Sequence, residues 1–189
     1  MMTGKYIFFI GMMLLCSTAV VHAQEDLETE FFDVEVALFN GRLKRFFTYD
    51  AFQAAFGKAD SVHLLMDLQP CSYIFEEEDG SKHADDVYLY KDGSRFEKSQ
   101  EKVAVDEFRF TKTNFIHYGG ILLNEQTSLA DLQKLFPRAA SQAQRLSVEK
   151  EGDLFVLQLA ESIDGQSDGQ VRLYLKDGRL YYIHWWFPC

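Results

Sequence analysis

Positive charge is scarce in this sequence: 19 Lys and Arg stand against 29 Asp and Glu, for a formal net charge of −10. A chain this acidic lacks the electrostatic footprint of a nucleic-acid binder and is repelled by anionic lipid surfaces. Long apolar runs are missing too. The run from Tyr6 to Val21 covers 16 residues, short of the roughly 20 that a spanning helix needs, so no transmembrane span is expected in the mature chain. Lys5 precedes that run and Val-His-Ala precedes Gln24, the layout of a secretory signal peptide with a small-residue cleavage site. Residues 1–23 are therefore set apart from the fold. Their removal takes away Lys5 and no acid, leaving a net charge of −11. The expected location is periplasmic or extracellular. Cys16 offers an alternative, a lipid-anchored envelope protein, against which the large Leu15 before it argues.

Chemical signatures are also few. Neither mature cysteine has reactive-thiol surroundings or a motif with His. His63, His83, His117 and His184 lie far apart with no ligand spacing, and no glycine-rich phosphate loop follows a strand. No catalytic residue, metal or cofactor is assigned. The acidic run Glu76, Glu77, Glu78 and Asp79 reads as a solvated turn before Gly80. Asp164 to Gln170 places Asp and Gly like the start of a calcium loop, but Leu175 stands at the twelfth position, where a bidentate Glu is required. It reads as a turn.

Only Cys71 and Cys189 remain in the mature chain. In an exported protein such a pair is most simply a disulfide. On a chain-entropy argument so long a loop contributes roughly 4 to 5 kcal/mol. Two free thiols are the other reading. The remaining residues are enough for one good core or two small ones, and with 47% hydrophobic residues disorder is not the default.

What the chain does have is an internal echo. "TYDAFQAAFGKAD" (48–60) returns as "SLADLQKLFPRAA" (128–140), placing Phe52 over Leu132, Gln53 over Gln133, Phe56 over Phe136, Lys58 over Arg138 and Ala59 over Ala139. Both predict short helices. Thr48 or Asp50 caps the first, Ala51, Phe52, Ala55 and Phe56 form its apolar stripe, and Gly57 stops it. Thr127 or Ser128 caps the second, Leu129, Leu132, Leu135 and Phe136 form its stripe, and Pro137 ends it. Aromatic, β-branched segments precede each helix. "VYLYKDGSRF" (87–96) and "VRLYLKDGRL" (171–180) follow, each an alternating strand running into a Lys-Asp-Gly hairpin signal. Further turn signals stand at Asp79-Gly80, Asp164-Gly165 and Asp168-Gly169.

The expected fold is therefore α+β: two tandem repeats, 24–111 and 112–189, each a short helix or helix pair on an antiparallel sheet. The boundary near Thr111–Asn114 has no Pro- or Ser-rich linker, so the halves are expected to share one extended sheet with one open face. This pattern resembles the tandem-repeat β-lactamase inhibitor protein family, and also the small outer-membrane assembly lipoproteins that carry one such unit. In the inhibitor family the helices pack on one side of a long antiparallel sheet, and the open concave side grips the enzyme. The chain departs from that family at its cysteines, which staple within each half there and reach across here.

Strand parity then assigns the two faces. Val87, Leu89, Val171, Leu173 and Leu175 are expected to face the helices, with Tyr181, Ile183, Trp185 and Phe187 in the last strand. The open face is expected to carry Tyr88, Tyr90, Arg172, Tyr174, Tyr182, His184 and Trp186, with Leu180 on the same parity and Arg109 near it. Tyr, Trp and Arg are the residues that protein-binding hot spots favour, although aromatics are also good strand formers. The functional expectation is a non-enzymatic, exported module that binds a protein partner, inhibitor-like in its geometry. The alternatives are a structural or assembly component of a bacterial cell envelope, and a small-ligand binder or enzyme whose site folding assembles.

Overall fold

The computed structural model describes residues 30–77, 79–163 and 167–189. The signal-peptide segment, Cys16 and the Asp164-Gly165 turn signal lie outside the described residues, as does Glu78 of the acidic run. Among the described residues no helix is long and apolar enough to cross a membrane.

The chain is mixed α+β, with four helices and mostly antiparallel sheets. In order it forms β1 (Ala37–Phe39), β2 (Phe46–Thr48), α1 (Tyr49–Phe56), β3 (Ser61–Leu64), α2 (Leu65–Leu68), β4 (Val87–Lys91), β5 (Ser94–Ser99) and β6 (Lys102–Arg109). It continues with β7 (Ile116–Tyr118), β8 (Ile121–Leu123), α3 (Leu129–Leu135), α4 (Pro137–Ser141), β9 (Gln144–Val148), β10 (Gly152–Ala160), β11 (Gln170–Lys176) and β12 (Arg179–Trp186).

Both echoed helices form where their caps and stripes place them. The Thr48 hydroxyl accepts the Ala51 N–H, and Gly57 closes α1 at φ +74°. Ser128 and Asp131 make a reciprocal capping box on α3, satisfying two amides that the first turn leaves unpaired. Pro137 does end α3, but it also starts α4 as its first residue, a position where its missing N–H costs nothing.

The main sheet runs β3-β4-β5-β6-β12-β11-β10-β9, and β2 also pairs with β6. The first half of the chain runs inward from one edge, β3 to β6, and the second half inward from the other, β9 to β12. At the seam β6 divides one edge between two neighbours: Glu107–Arg109 pair with β12, and Lys102–Ala104 pair with β2. The boundary at Thr111–Asn114 is a turn in which the Thr111 side chain accepts the Asn114 N–H. A separate sheet, β1-β7-β8, joins one strand from the first half to a hairpin from the second. The two Lys-Asp-Gly turns close different hairpins, β4–β5 and β11–β12. Counted outward from the seam these are not equivalent positions.

One core fills the space between the main sheet and α1, α3, α4 and the small sheet. Phe52 and Phe56 of α1 and Leu132 and Phe136 of α3 and α4's cap meet Phe96, Phe108, Leu157, Leu173, Ile183 and Trp185 from the sheet. Each fully buried side chain of this kind contributes about 1.5 to 3 kcal/mol. Phe39 of the small sheet packs edge-on to Phe108 at 5.0 Å. The helices of this core lie on one face of the main sheet, so the other face carries the candidate site.

Parity fails at one place. Leu175 pairs with Leu180 but Tyr174 pairs with Tyr182, so Tyr181 is an extra residue in β12. This bulge turns Leu180 into the main core and sends Tyr181 to the opposite face, where it packs on a second cluster. Both assignments reverse the alternation of the sequence, because one inserted residue shifts the side-chain period by a full step.

Candidate functional site

Register places the seven predicted residues on the face opposite the helices and divides them into two groups. Tyr88 and Tyr90 stand on β4; Arg172, Tyr174, Tyr182, His184 and Trp186 stand on β11 and β12. They do not form a contiguous exposed aromatic patch. Tyr90, Arg172, His184 and Trp186 are partly exposed, whereas Tyr88 is 6% exposed and Tyr174 and Tyr182 are 4% exposed each.

Tyr174 and Tyr182 are buried because this face has its own apolar cluster, made with Leu154 and Val156 of β10. A polar network borders it. Arg109, the cross-strand partner of Tyr182, donates to the Tyr181 hydroxyl and to Glu151 Oε1 at 2.6 Å. The Tyr181 hydroxyl donates to Glu151 Oε2 at 2.7 Å, and Lys176 reaches the same oxygen at 3.4 Å. Burial works against the Glu151 charge, but the bonds from Arg109 and Tyr181 outweigh it and hold its carboxyl below the usual range. The Arg109 stem rests on the β4–β5 turn, where a Cβ on Gly93 would lie 2.7 Å from Arg109 Cδ. That position also has φ +77°, so it needs glycine on both counts.

Between the two groups, on β5, stands Arg95, a residue absent from the sequence-derived set. Its guanidinium lies 5.0 Å from the Tyr88 ring, bonds to Asp106 and donates to His184 Nε2 at 3.2 Å. Since arginine only donates, Nε2 is the acceptor and the ring proton sits on Nδ1. Burial, more than any neighbour, pulls the His184 pKa down to about 4, so the ring is neutral at pH 7 although Asp106 lies 3.8 Å away. Burial raises the Glu107 carboxyl against the pull of Arg95 and Arg109. The signal for Arg95 was present. The two-residue Asp92-Gly93 turn sets Lys91 opposite Ser94 and therefore Tyr90 opposite Arg95.

Beyond His184, on β11, Arg172 lies over Trp186, with its guanidinium carbon 3.5 Å from the ring centroid. It donates to Gln170 Oε1 at 3.1 and 3.0 Å. Near the opposite end of the face stands the row Tyr88, Glu97, Ala104 and Phe46, successive cross-strand partners on β4, β5, β6 and β2, and the segment after α2 meets it at Glu97 and Phe46. The Phe75 N–H donates to Glu97 Oε1 at 3.0 Å, and the Phe75 ring meets Phe46 edge-on at 6.2 Å. Cys71 and Cys189 are disulfide-bonded, with Cα atoms 4.8 Å apart.

Three serine motifs went unread in the sequence and none has its working geometry. Gly165 to Gly169 spells G-x-S-x-G, but Ser167 leads into β11, where a nucleophile elbow needs a strand-to-helix turn, and its hydroxyl donates to Glu161 at 2.7 Å. Ser99-x-x-Lys102 and Ser147-x-x-Lys150 satisfy S-x-x-K by letter. Ser99 and Lys102 are hairpin partners, while Ser147 lies in β9 with Lys150 in the turn after it; neither serine stands at the start of a helix.

Together these features define a class: an α+β protein with a helix-backed antiparallel sheet and a polar, arginine-rich opposite face. No protein-family model matches the chain, no curated protein matches it, and no solved structure matches it.

Proposed function

We propose that this chain is an exported, non-enzymatic module that binds a protein partner through the face of its sheet opposite the helices. The observation that carries the reading is Arg172 placed over the Trp186 ring at 3.5 Å and bonded to Gln170, not to a carboxylate, among the described residues. An arginine already oriented on an aromatic face, beside the partly exposed His184, has the chemistry and low ordering cost of a binding hot spot. The Cys71–Cys189 bond supports export, since such bonds persist in oxidising compartments.

Two further parts of the reading concern descent and design. The mirrored strand order about the β6–β12 seam supports two related halves, although the offset Lys-Asp-Gly turns argue that the halves have since diverged in their hairpins. Helices on one side and a polar face on the other support a working geometry similar to the tandem-repeat β-lactamase inhibitors.

The test is capture from a cell-envelope extract with the mature protein and with Arg172→Ala/Trp186→Ala. A partner retained by the first and lost by the second, with unchanged circular dichroism, supports the proposal. A single catalytic partner points to inhibition and a membrane assembly to an envelope component. Equal capture by both proteins, or a bound metabolite in place of a protein, overturns it.

A further inference from the structure

The cysteine bond is placed where a core staple would not be. Both cysteines are exposed, and neither belongs to the main core or to the second cluster. What the bond fixes is the segment 69–77, which leaves α2 at the β3 edge and lies over the face opposite the helices. That segment meets the row Tyr88, Glu97, Ala104 and Phe46 at Glu97 and Phe46. Beneath it Ala104 and Glu97 are both 0% exposed.

The non-covalent hold on this segment is slight. Among the described residues the Ile74 and Phe75 amides on Glu97 and the edge contact of Phe75 with Phe46 are its contacts with the row. Phe46 remains 52% exposed even so. The lid on Glu97 also works against itself. Its Oε2 is buried without a donor among the described residues, which leaves a carboxylate oxygen desolvated and uncompensated. The groups that face it are Tyr88 on β4, Asp86 just before β4, Asp106 on β6 and Arg45 ahead of β2. Two of these four are acids, and Asp86 Oδ1 is itself buried without a donor. Lifting the segment returns Glu97 to water and relieves that cost.

We propose that residues 69–77 form a strap latched across the sheet by the Cys71–Cys189 disulfide, and that a dithiol reductant releases it, uncovering Glu97 and Phe46 while the sheet stays folded. In the step one S–S bond breaks, Cys71 and Cys189 each gain a proton as thiols, and the reductant's two thiols become its own disulfide. The closed strap hides part of the face on which the binding reading rests, but the latch stands without that reading, because its opening is read on the strap itself.

The experiment is amide hydrogen exchange by mass spectrometry on the mature protein, oxidised and after dithiothreitol, with Cys71→Ser/Cys189→Ser as a reductant-free equivalent. Exchange in a peptide spanning 70–77 is expected to rise roughly tenfold or more in the reduced protein and in the double variant, while β5, β6, β11 and β12 keep their protection. Reduced Glu97→Gln, which keeps an acceptor for the Phe75 N–H but carries no charge, is expected to exchange several-fold more slowly in the strap than reduced wild type. Unchanged strap protection on reduction overturns the latch, as does simultaneous loss of protection across the sheet. Equal strap exchange in reduced wild type and reduced Glu97→Gln overturns the part assigned to Glu97.

Discussion

Tyr174 and Tyr182, cross-strand partners on β11 and β12, stack with ring centroids 4.2 Å apart and planes 16° from parallel. Buried against Leu154 and Val156, they act as a small second core on the face opposite the helices. Tyr174→Ala should therefore cost about 3 to 5 kcal/mol. Trp186→Ala, at a partly exposed position, should cost about 1 kcal/mol or less. Urea denaturation of the two variants makes the comparison, and similar losses would contradict this division of the face.

Glu97 sets one pH dependence. Burial raises its carboxyl above the ordinary value, against hydrogen bonds from the Ile74 and Phe75 amides. A raised folded-state pKa means a contribution to stability that is complete below the ordinary carboxyl value and is lost as pH rises through the raised one. Glu97→Gln escapes that loss. Its melting temperature should exceed the wild type's at pH 7 to 8, and the gap should close toward pH 4. A variant less stable than wild type at pH 7 would contradict the sign.

His184 contributes the opposite slope. With its pKa pulled to about 4 by burial, it stabilises the fold above the ordinary histidine value and loses that contribution as pH falls from about 6.5 toward 4. The direct measurement is an NMR titration of the ring, in which His184 should titrate near 4. A midpoint near 6.5 would mean that the ring is solvated.

Arg45 is the buried cation at the seam. Its guanidinium donates to Glu161 at 2.9 Å and lies 4.6 Å from the Trp185 ring. Arg45→Ala leaves the Glu161 carboxylate without its cation, held only by the Ser167 hydroxyl among the described residues, and should cost about 3 kcal/mol, whereas Arg45→Met with Glu161→Leu should regain most of that loss, since an apolar pair removes both charges. Thermal melts of the single and double variants test this.

The sequence was most legible where structure is local. Thr48, Ser128 and Gly57 bound their helices as caps should, and the Phe52 and Phe136 stripes face the core. The strand parity of Val171, Leu173 and Leu175 also holds. It broke at Tyr181, because a bulge depends on the neighbouring strand and leaves no mark in the strand's own residues. The burial of Tyr174 was hidden for a related reason. Alternation tells which face a side chain takes, but its cover comes from Leu154 and Val156 on the neighbouring strand, about twenty residues back in sequence. Arg95 was readable from hairpin register and was missed for want of counting across the turn. The strap was least accessible of all: its hold on Glu97 is the backbone amides of Ile74 and Phe75, and nothing in the letters 69–77 names their acceptor.

The divided edge of β6 carries a mechanical meaning. Glu107, Phe108 and Arg109 pair across the midline to β12, and the Phe110 N–H donates to the Tyr181 carbonyl at 2.9 Å, so few backbone rungs resist flexing there. Beneath them Phe108 and Trp185 both pack on Phe39. Stiffness at the centre of the sheet is thus supplied by interlocked rings, and trimming one of them would loosen the joint between β6 and β12.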